Sequence, residues 1–321
     1  MTAPCALTVG DFLAAFEADP EDAALIADEA GRHDFRYRRL PQAERDAVIL
    51  SVLRKLDGFT QVGAHRHDIW QSAWADVARR YDESGNDLAA LEPGFIGATP
   101  YIRLLGDYAQ PLGADFEFNY FRVLRHWLFA KYLADARHVY EFGCGSGFNL
   151  VALAQSAPDK RLIGLDWAAP AVDLITRVAA HHKLPLEGRR FDFFAPDPDM
   201  TLEPHAAVTT FCALEQTSER CTIFLDWLLE RQPEIVVSME PVLDFYDPDS
   251  LVDDLAIRYH TKRRYLTGYL PWLRTQAESG RIELIKARRL RMGSLFHEGF
   301  SLLIWRPTRR ASAALVRPER S

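Results

Sequence analysis

The sequence predicts a doubly wound α/β fold: a seven-stranded, mostly parallel sheet with an antiparallel last strand, plus a helical N-terminal region. Three observations carry this reading. From about residue 116 strand-like runs alternate with helical ones, which implies a parallel sheet covered on both faces. A glycine-rich turn lies between the first strand and the helix after it, where the backbone must bend tightly. The last two strand candidates are separated only by GSLFHE, a link that permits an antiparallel pair but no parallel crossover.

Residues 1–115 read as mostly helical, with apolar residues at helical spacing in DFLAAFEA, DAVILSVLRKL and DIWQSAWADVARRY. This region is expected to cap a pocket built by residues 116–307. In the second region FNYFRVLRHWLFAKYLADA is a helix with an apolar stripe. Strands are expected at HVYEFGC, RLIGLDW, GRRFDFF, AAVTTFCAL and EIVVSME, with helices at NLVALAQSA, PAVDLITRVAAHH and TIFLDWLLERQ between them. Asp249 or Ser250 would cap one long helix running through LAIRYHTKRRYLTGYLPWL to Gly280, kinked at Pro271. RIELIKARRLRM and GFSLLIWRP close the sheet, and residues 308–321 form a basic tail expected to be flexible.

With 321 residues the chain is long enough for a full core and a smaller attached region. A formal net charge of −7 argues against a general nucleic-acid surface. Cys5, Cys144, Cys212 and Cys221 include no CxxC pair, so a thiolate zinc site has no support. His65 and His67 would point apart on a helix, and no metal is expected. The N-terminus lacks the basic n-region of a signal peptide, and no apolar run approaches the roughly 20 residues of a membrane span. A cytoplasmic protein without a membrane partner is expected.

The chemistry concentrates in Glu141-Phe142-Gly143-Cys144-Gly145-Ser146-Gly147. A P-loop would need a lysine that is missing here, and a dinucleotide fingerprint would need glycine where Phe148 stands. The segment resembles the ExGxGxG loop of class I S-adenosylmethionine-dependent methyltransferases, matching all of its fixed positions. As an order of elements the resemblance spans residues 116–307, with its specific motifs between Glu141 and Glu240. It implies S-adenosylmethionine as cofactor, with Glu141 holding the methionine amino group and Gly143, Gly145 and Gly147 making room for the ligand. It also implies that Asp166 accepts hydrogen bonds from both ribose hydroxyls, and that Asp192 lies near the adenine amino group with Phe193 beside the ring. Trp167, next to Asp166, could stack on adenine.

The implied activity is methyl transfer to a small-molecule acceptor, at a hydroxyl or carboxyl oxygen. Transfer to nitrogen, a regulatory protein that binds the nucleoside without turnover, and a nicotinamide-dependent oxidoreductase are the rival readings. Acids and imidazoles at the carboxyl edge of the sheet are the candidates for acid–base work. Glu215 follows the fourth strand in FCALEQ; Cys212 and Gln216 stand where metal-assisted relatives carry Glu and His, so no metal is implied. Glu240 ends the fifth strand, and His297 lies in the final connection. Each has a structural alternative: a helix-start acid, a turn acid and a surface histidine. Arg258, His260, Lys262, Arg263 and Arg264 form either a solvated helix face or a contact for an anionic acceptor. Trp70, Trp74, Tyr101, Tyr120 and Phe121 are either core or the wall of an apolar acceptor site.

Overall fold

In a computed structural model, which describes residues 3–94 and 100–308, the predicted sheet is present. Its strands are β1 (His138–Phe142), β2 (Arg161–Asp166), β3 (Leu186–Arg190), β4 (Ala207–Phe211), β5 (Ile235–Glu240), β6 (Ile282–Arg289) and β7 (Ser301–Pro307). They lie in the order β6-β7-β5-β4-β1-β2-β3. Pairing is parallel from β3 through β5, and β7 runs antiparallel to both β5 and β6. The order reverses between β1 and β4, which opens a crevice at the carboxyl ends of those strands.

The central strands are apolar because both faces are covered, and alternate residues feed two cores. Val139, Ala207, Val237 and Leu302 join the core beneath the helices Phe116–Tyr132 and Phe148–Ser156. Tyr140, Phe142, Ile163, Val208 and Trp305 join the opposite core, under the helices Cys221–Glu230 and Tyr269–Glu278.

Three local expectations are corrected. The third strand stops at Arg190, so FDFF lies beyond it in the crevice mouth. The long C-terminal helix is two helices, Leu251–Arg263 and Tyr269–Glu278. Ser250 caps the first, and left-handed residues Arg264 (φ 53°) and Gly268 (φ 85°) bound the break. Pro271 makes no kink, because it sits in the first turn of the second helix, where its missing N–H has no partner to lose.

The N-terminal region contains the expected helices and also a small antiparallel sheet. Its strands run in the order Cys5–Ala6, Arg36–Arg39, Asp107–Pro111, Ile102–Leu104 and Met292–Gly293. Its last strand comes from the β6–β7 connection, so that link fastens the N-terminal region to the main sheet. Beneath it Arg103, fully buried, donates to the Val252 carbonyl (2.8 Å), while Arg289 bridges Asp253 and Glu298. Elsewhere Trp127 Nε1 donates to Asp22 (2.9 Å) and Phe16 stacks on Trp127. Among the described residues no helix is long and apolar enough to cross a membrane. All of the predicted tail except Thr308 lies outside the described residues.

Candidate functional site

The turn after β1 is held open by its own hydrogen bonds. Gly143 N and Cys144 N both donate to the Leu165 carbonyl (2.7 and 3.1 Å), which ties the loop to β2. Gly143, Gly145 and Gly147 have φ of 73°, 53° and 74°, a region that costs other residues about 1–2 kcal/mol. Space is as restrictive as conformation. A Cβ at 143 would overlap that of Ala213, and one at 145 would enter the indole of Trp74. Gly147 starts the helix Phe148–Ser156 and packs against Ile175.

Asp166 ends β2 under this loop. Its Oδ2 accepts from Gly145 N (3.0 Å) and its Oδ1 from Ala168 N (2.8 Å), so the carboxylate latches the glycine turn from below. Burial raises its pKa above the ordinary carboxylate range, and these backbone donors work against that shift. Glu141 is the penultimate residue of β1 and is more deeply enclosed. Burial pushes it up to about 8, although Asn149 Nδ2 donates to its Oε1 (2.8 Å). Behind Asn149 the half-buried Arg125, pushed down to about 10 by desolvation, donates to Asn149 Oδ1 (3.1 Å). Sequence reasoning missed both Asn149 and Arg125. Asn149 stands eight residues after Glu141, in the first turn of the glycine-loop helix, and that spacing was the available signal.

These groups open into one cleft. Every donor-site candidate except Gly147 lines it: Glu141, Gly143, Gly145, Asp166, Trp167, Asp192 and Phe193. The mouth beside Asp166 is aromatic, with Phe194 tilted against Trp167. Asp192 Oδ1 accepts from Phe194 N (2.8 Å), so it also braces its own turn. Trp70 and Trp74, stacked on one face of the helix His67–Glu83, reach in from the N-terminal region together with Pro93. Phe121 is a wall residue as well, whereas Tyr120 is core and Tyr101 packs in a separate apolar cluster.

The three acid–base candidates do not line the cleft; they stand behind its Cys212–Thr217 wall. Glu240, fully buried, turns back to accept from Ala213 N (3.1 Å) and Leu214 N (3.2 Å), and so positions the loop after β4. Glu215 is buried beside it and accepts from Gln216 Nε2 (3.0 Å), with its Oε2 unpartnered. Desolvation raises both acids; the Glu215 charge and the hydrogen bond between the two carboxyls raise Glu240 further, while that same bond works against the shift of Glu215. His297 is neither on the cleft nor a surface histidine. It packs among Tyr259, His260 and Tyr265, where burial and the Arg103 charge push it down to about 3. Among the described residues no group of three or more His, Cys, Asp or Glu side chains is arranged to hold a metal ion.

Glu240 carries a pH prediction. Its folded pKa lies above the unfolded value, so its contribution to stability is fully present below about pH 4.5 and is lost as pH rises through the folded pKa. The urea midpoint of wild type should therefore fall relative to that of Glu240→Gln as the pH rises above about 5. Parallel pH profiles for the two proteins would show that burial does not disfavour the ionised Glu240 carboxyl.

No protein-family model and no curated protein matches the sequence. Several solved structures align with more than half of the chain. A [4+2]-cyclase, SpnF, aligns at 14% identity with a TM-score of 0.49, over 77% of this chain and 96% of its own. An O-methyltransferase from neocarzinostatin biosynthesis, solved with S-adenosylmethionine and 2-hydroxy-5-methyl naphthoic acid, aligns at 15% identity and a TM-score of 0.41, over 76% of this chain and 70% of its own. The magnesium protoporphyrin IX methyltransferase of Synechocystis PCC 6803, solved with SAH, aligns at 14% identity and a TM-score of 0.44, over 58% and 81%.

Proposed function

We propose that the protein is a cytoplasmic S-adenosylmethionine-dependent methyltransferase that acts on an oxygen atom of a small-molecule acceptor. One observation carries the reading: residues singled out from three separate strand ends, Glu141, Asp166 and Asp192, converge with Gly143 and Gly145 on one cleft. The donor set suits the ligand chemically. Asp166 keeps lone pairs beyond its two backbone donors for a sugar diol, and Glu141 offers a carboxylate to an ammonium group. Trp167, Phe193 and Phe194 offer apolar faces to a purine, and Asp192 an acceptor to its amino group. When bound, the cofactor supplies an electrophilic methyl group on a sulfonium, and the sulfur keeps the bonding pair as the methyl leaves.

The chain's own part is orientation and exclusion of water. Trp70, Trp74 and Pro93 support the assignment of residues 1–115 as a cap, because all three close the cleft from that side. Residues 116–307 then form the donor-binding domain. Gln216, on the cleft wall, donates to Glu215, and Glu215 is the candidate proton acceptor behind that wall. Glu240 holds the loop that carries it, and the neutral imidazole of His297 lies farther back. Calorimetric titration with S-adenosylmethionine, S-adenosylhomocysteine and NAD tests the donor. Labelled methyl transfer into a metabolite extract separates an enzyme from a binding protein. Binding of NAD with no binding of either nucleoside would replace this reading by the oxidoreductase one.

Glu141 adds a pH signature. Raised to about 8, it is mostly protonated at pH 7 in the free protein, and pairing with an ammonium group requires that proton to leave. The affinity for S-adenosylhomocysteine should thus rise with pH from 6 to about 8, by up to about tenfold per unit, and binding at pH 7 should release close to one proton. Calorimetry in two buffers of different ionisation enthalpy measures the release. Zero release, or a Glu141→Gln variant with the wild-type pH slope, would remove Glu141 from the ammonium site.

A further inference from the structure

The strand order divides the cleft into two halves. Asp166 ends β2, Asp192 lies just beyond β3 and Glu141 is near the end of β1. On the other side of β1, Phe211 ends β4 and Met239 is the penultimate residue of β5. Ser301 pairs with Glu240, which puts the lining residue Phe300 at the carboxyl edge of β5 as well. Neighbouring strands stand about 4.8 Å apart, so the ends of β2 and β5 are roughly 14 Å from each other. The donor reading uses the first half and leaves the second without a ligand.

That second half is walled by rings. The centroid of Phe121 lies 5.9 Å from that of Phe148 and 5.7 Å from that of Phe300, and all three line the cleft. Cys212 continues the wall, with its thiol on the Gly299 carbonyl (3.5 Å). The polar residues here, Gln216 and Thr217, are engaged in holding the loop after β4. Gln216 donates to Glu215 and accepts from Arg66, and Thr217 Oγ1 donates to the Leu214 carbonyl (2.7 Å). Among the described residues no Lys, Arg or His lines either half. Arg125 and Arg66 lie against the wall rings, 5.3 Å from the Phe121 centroid and 5.5 Å from that of Trp70, and neither lines the cleft. A carboxylate placed in this half would lose its water and gain no protein cation, with the acids of the donor half nearby. An uncharged ring would lose only water that apolar surfaces hold poorly.

We propose that the half of the cleft over β4, β5 and β7 takes the acceptor as an uncharged, flat apolar body, and that the oxygen methylated is a hydroxyl and not a carboxylate. The inference deepens the donor reading and rests on it only for calling this ligand an acceptor. Phe121, Met239 and Phe300 then select by shape, and a wall without cations selects by charge. In the transfer the hydroxyl oxygen bonds to the methyl carbon, the pair of the broken C–S bond stays on sulfur, and the hydroxyl proton passes to water.

The test uses 2-naphthol, neutral near pH 7, and 2-naphthoate, which carries a charge on the same ring system, each titrated into the full-length protein saturated with S-adenosylhomocysteine. Naphthol should bind about tenfold to a hundredfold tighter, as expected when a charge is buried without a partner. Methionine labelled at its methyl carbon gives a second readout in the wild-type protein. Of the four methionines, Met239 lines the cleft, whereas Met200 and Met292 pack elsewhere. The Met239 methyl signal, assigned with Met239→Leu, should move under the ring current of bound naphthol while those of Met200 and Met292 stay. Phe300→Leu keeps an apolar wall without the ring and should weaken naphthol binding about threefold to tenfold, with S-adenosylhomocysteine affinity at the wild-type value. Naphthoate bound as tightly as naphthol, no binding of naphthol, or a Met239 signal that stays while naphthol binds overturns the proposal. If S-adenosylhomocysteine fails to bind, the donor reading falls, and naphthol titrated alone and read at Met239 still decides the apolar site.

Discussion

Asp166→Ala should eliminate measurable binding of S-adenosylhomocysteine while leaving a folded protein. The proposed ligand loses two hydrogen bonds to a charged acceptor, each worth about 1.5–3 kcal/mol, which together correspond to roughly 10²- to 10⁴-fold in Kd. A second loss adds to the first. Gly145 N and Ala168 N both donate to this carboxylate, so its removal also unlatches the glycine turn from β2. Asp166→Asn separates the two effects. The amide oxygen can keep one backbone donor but turns an NH₂ group toward the other, so binding should fall by about tenfold to a hundredfold with the fold retained. Calorimetry gives the affinities and urea unfolding the stability. An alanine variant that binds S-adenosylhomocysteine as wild type does would show that the sugar diol lies elsewhere, and the donor site would have to be rebuilt around other residues.

The parts of this site that the sequence revealed are those where local chemistry leaves few choices. β1, β2, β4 and β5 are apolar on both faces because both faces are buried, and the three alternating glycines occupy left-handed positions that crowd Ala213 and Trp74. The small sheet was hidden because its strands are two to five residues long, and one reads RYRR, with no apolar alternation to detect. The break between the last two helices turns on Arg264 in the left-handed region, a conformation that an arginine codon does not announce. Side-chain direction was the larger gap. An acid at a strand end can face the ligand or fold back onto its own loop, and Glu240 folds back to take the Ala213 and Leu214 N–H groups. Periodicity put Trp70 and Trp74 on one helix face but could not say that this face meets Gly145.

Gly143→Ala is the second large effect, and it separates two causes that usually travel together. The residue has φ 73°, which costs alanine about 1–2 kcal/mol whatever surrounds it. Its new methyl would also overlap the Ala213 Cβ, on a loop that Glu240 pins through two backbone N–H groups and that therefore yields little. Overpacking of that kind costs about 1–3 kcal/mol, so the single variant should lose roughly 2–5 kcal/mol of stability and, with its loop displaced, most of its donor affinity. Ala213→Gly removes the colliding methyl. In the double variant Gly143→Ala/Ala213→Gly the contact cost should vanish and only the backbone cost remain. A double-mutant cycle from urea unfolding should then show a favourable coupling of about 1–3 kcal/mol between the two sites. Ala213 also lines the cleft, so the same double variant should recover S-adenosylhomocysteine binding if crowding, and not backbone strain, is what displaces the loop. Strictly additive stabilities would mean that the β1 turn and the loop after β4 do not press on each other, and the close approach that shapes the floor of the cleft would have to be abandoned.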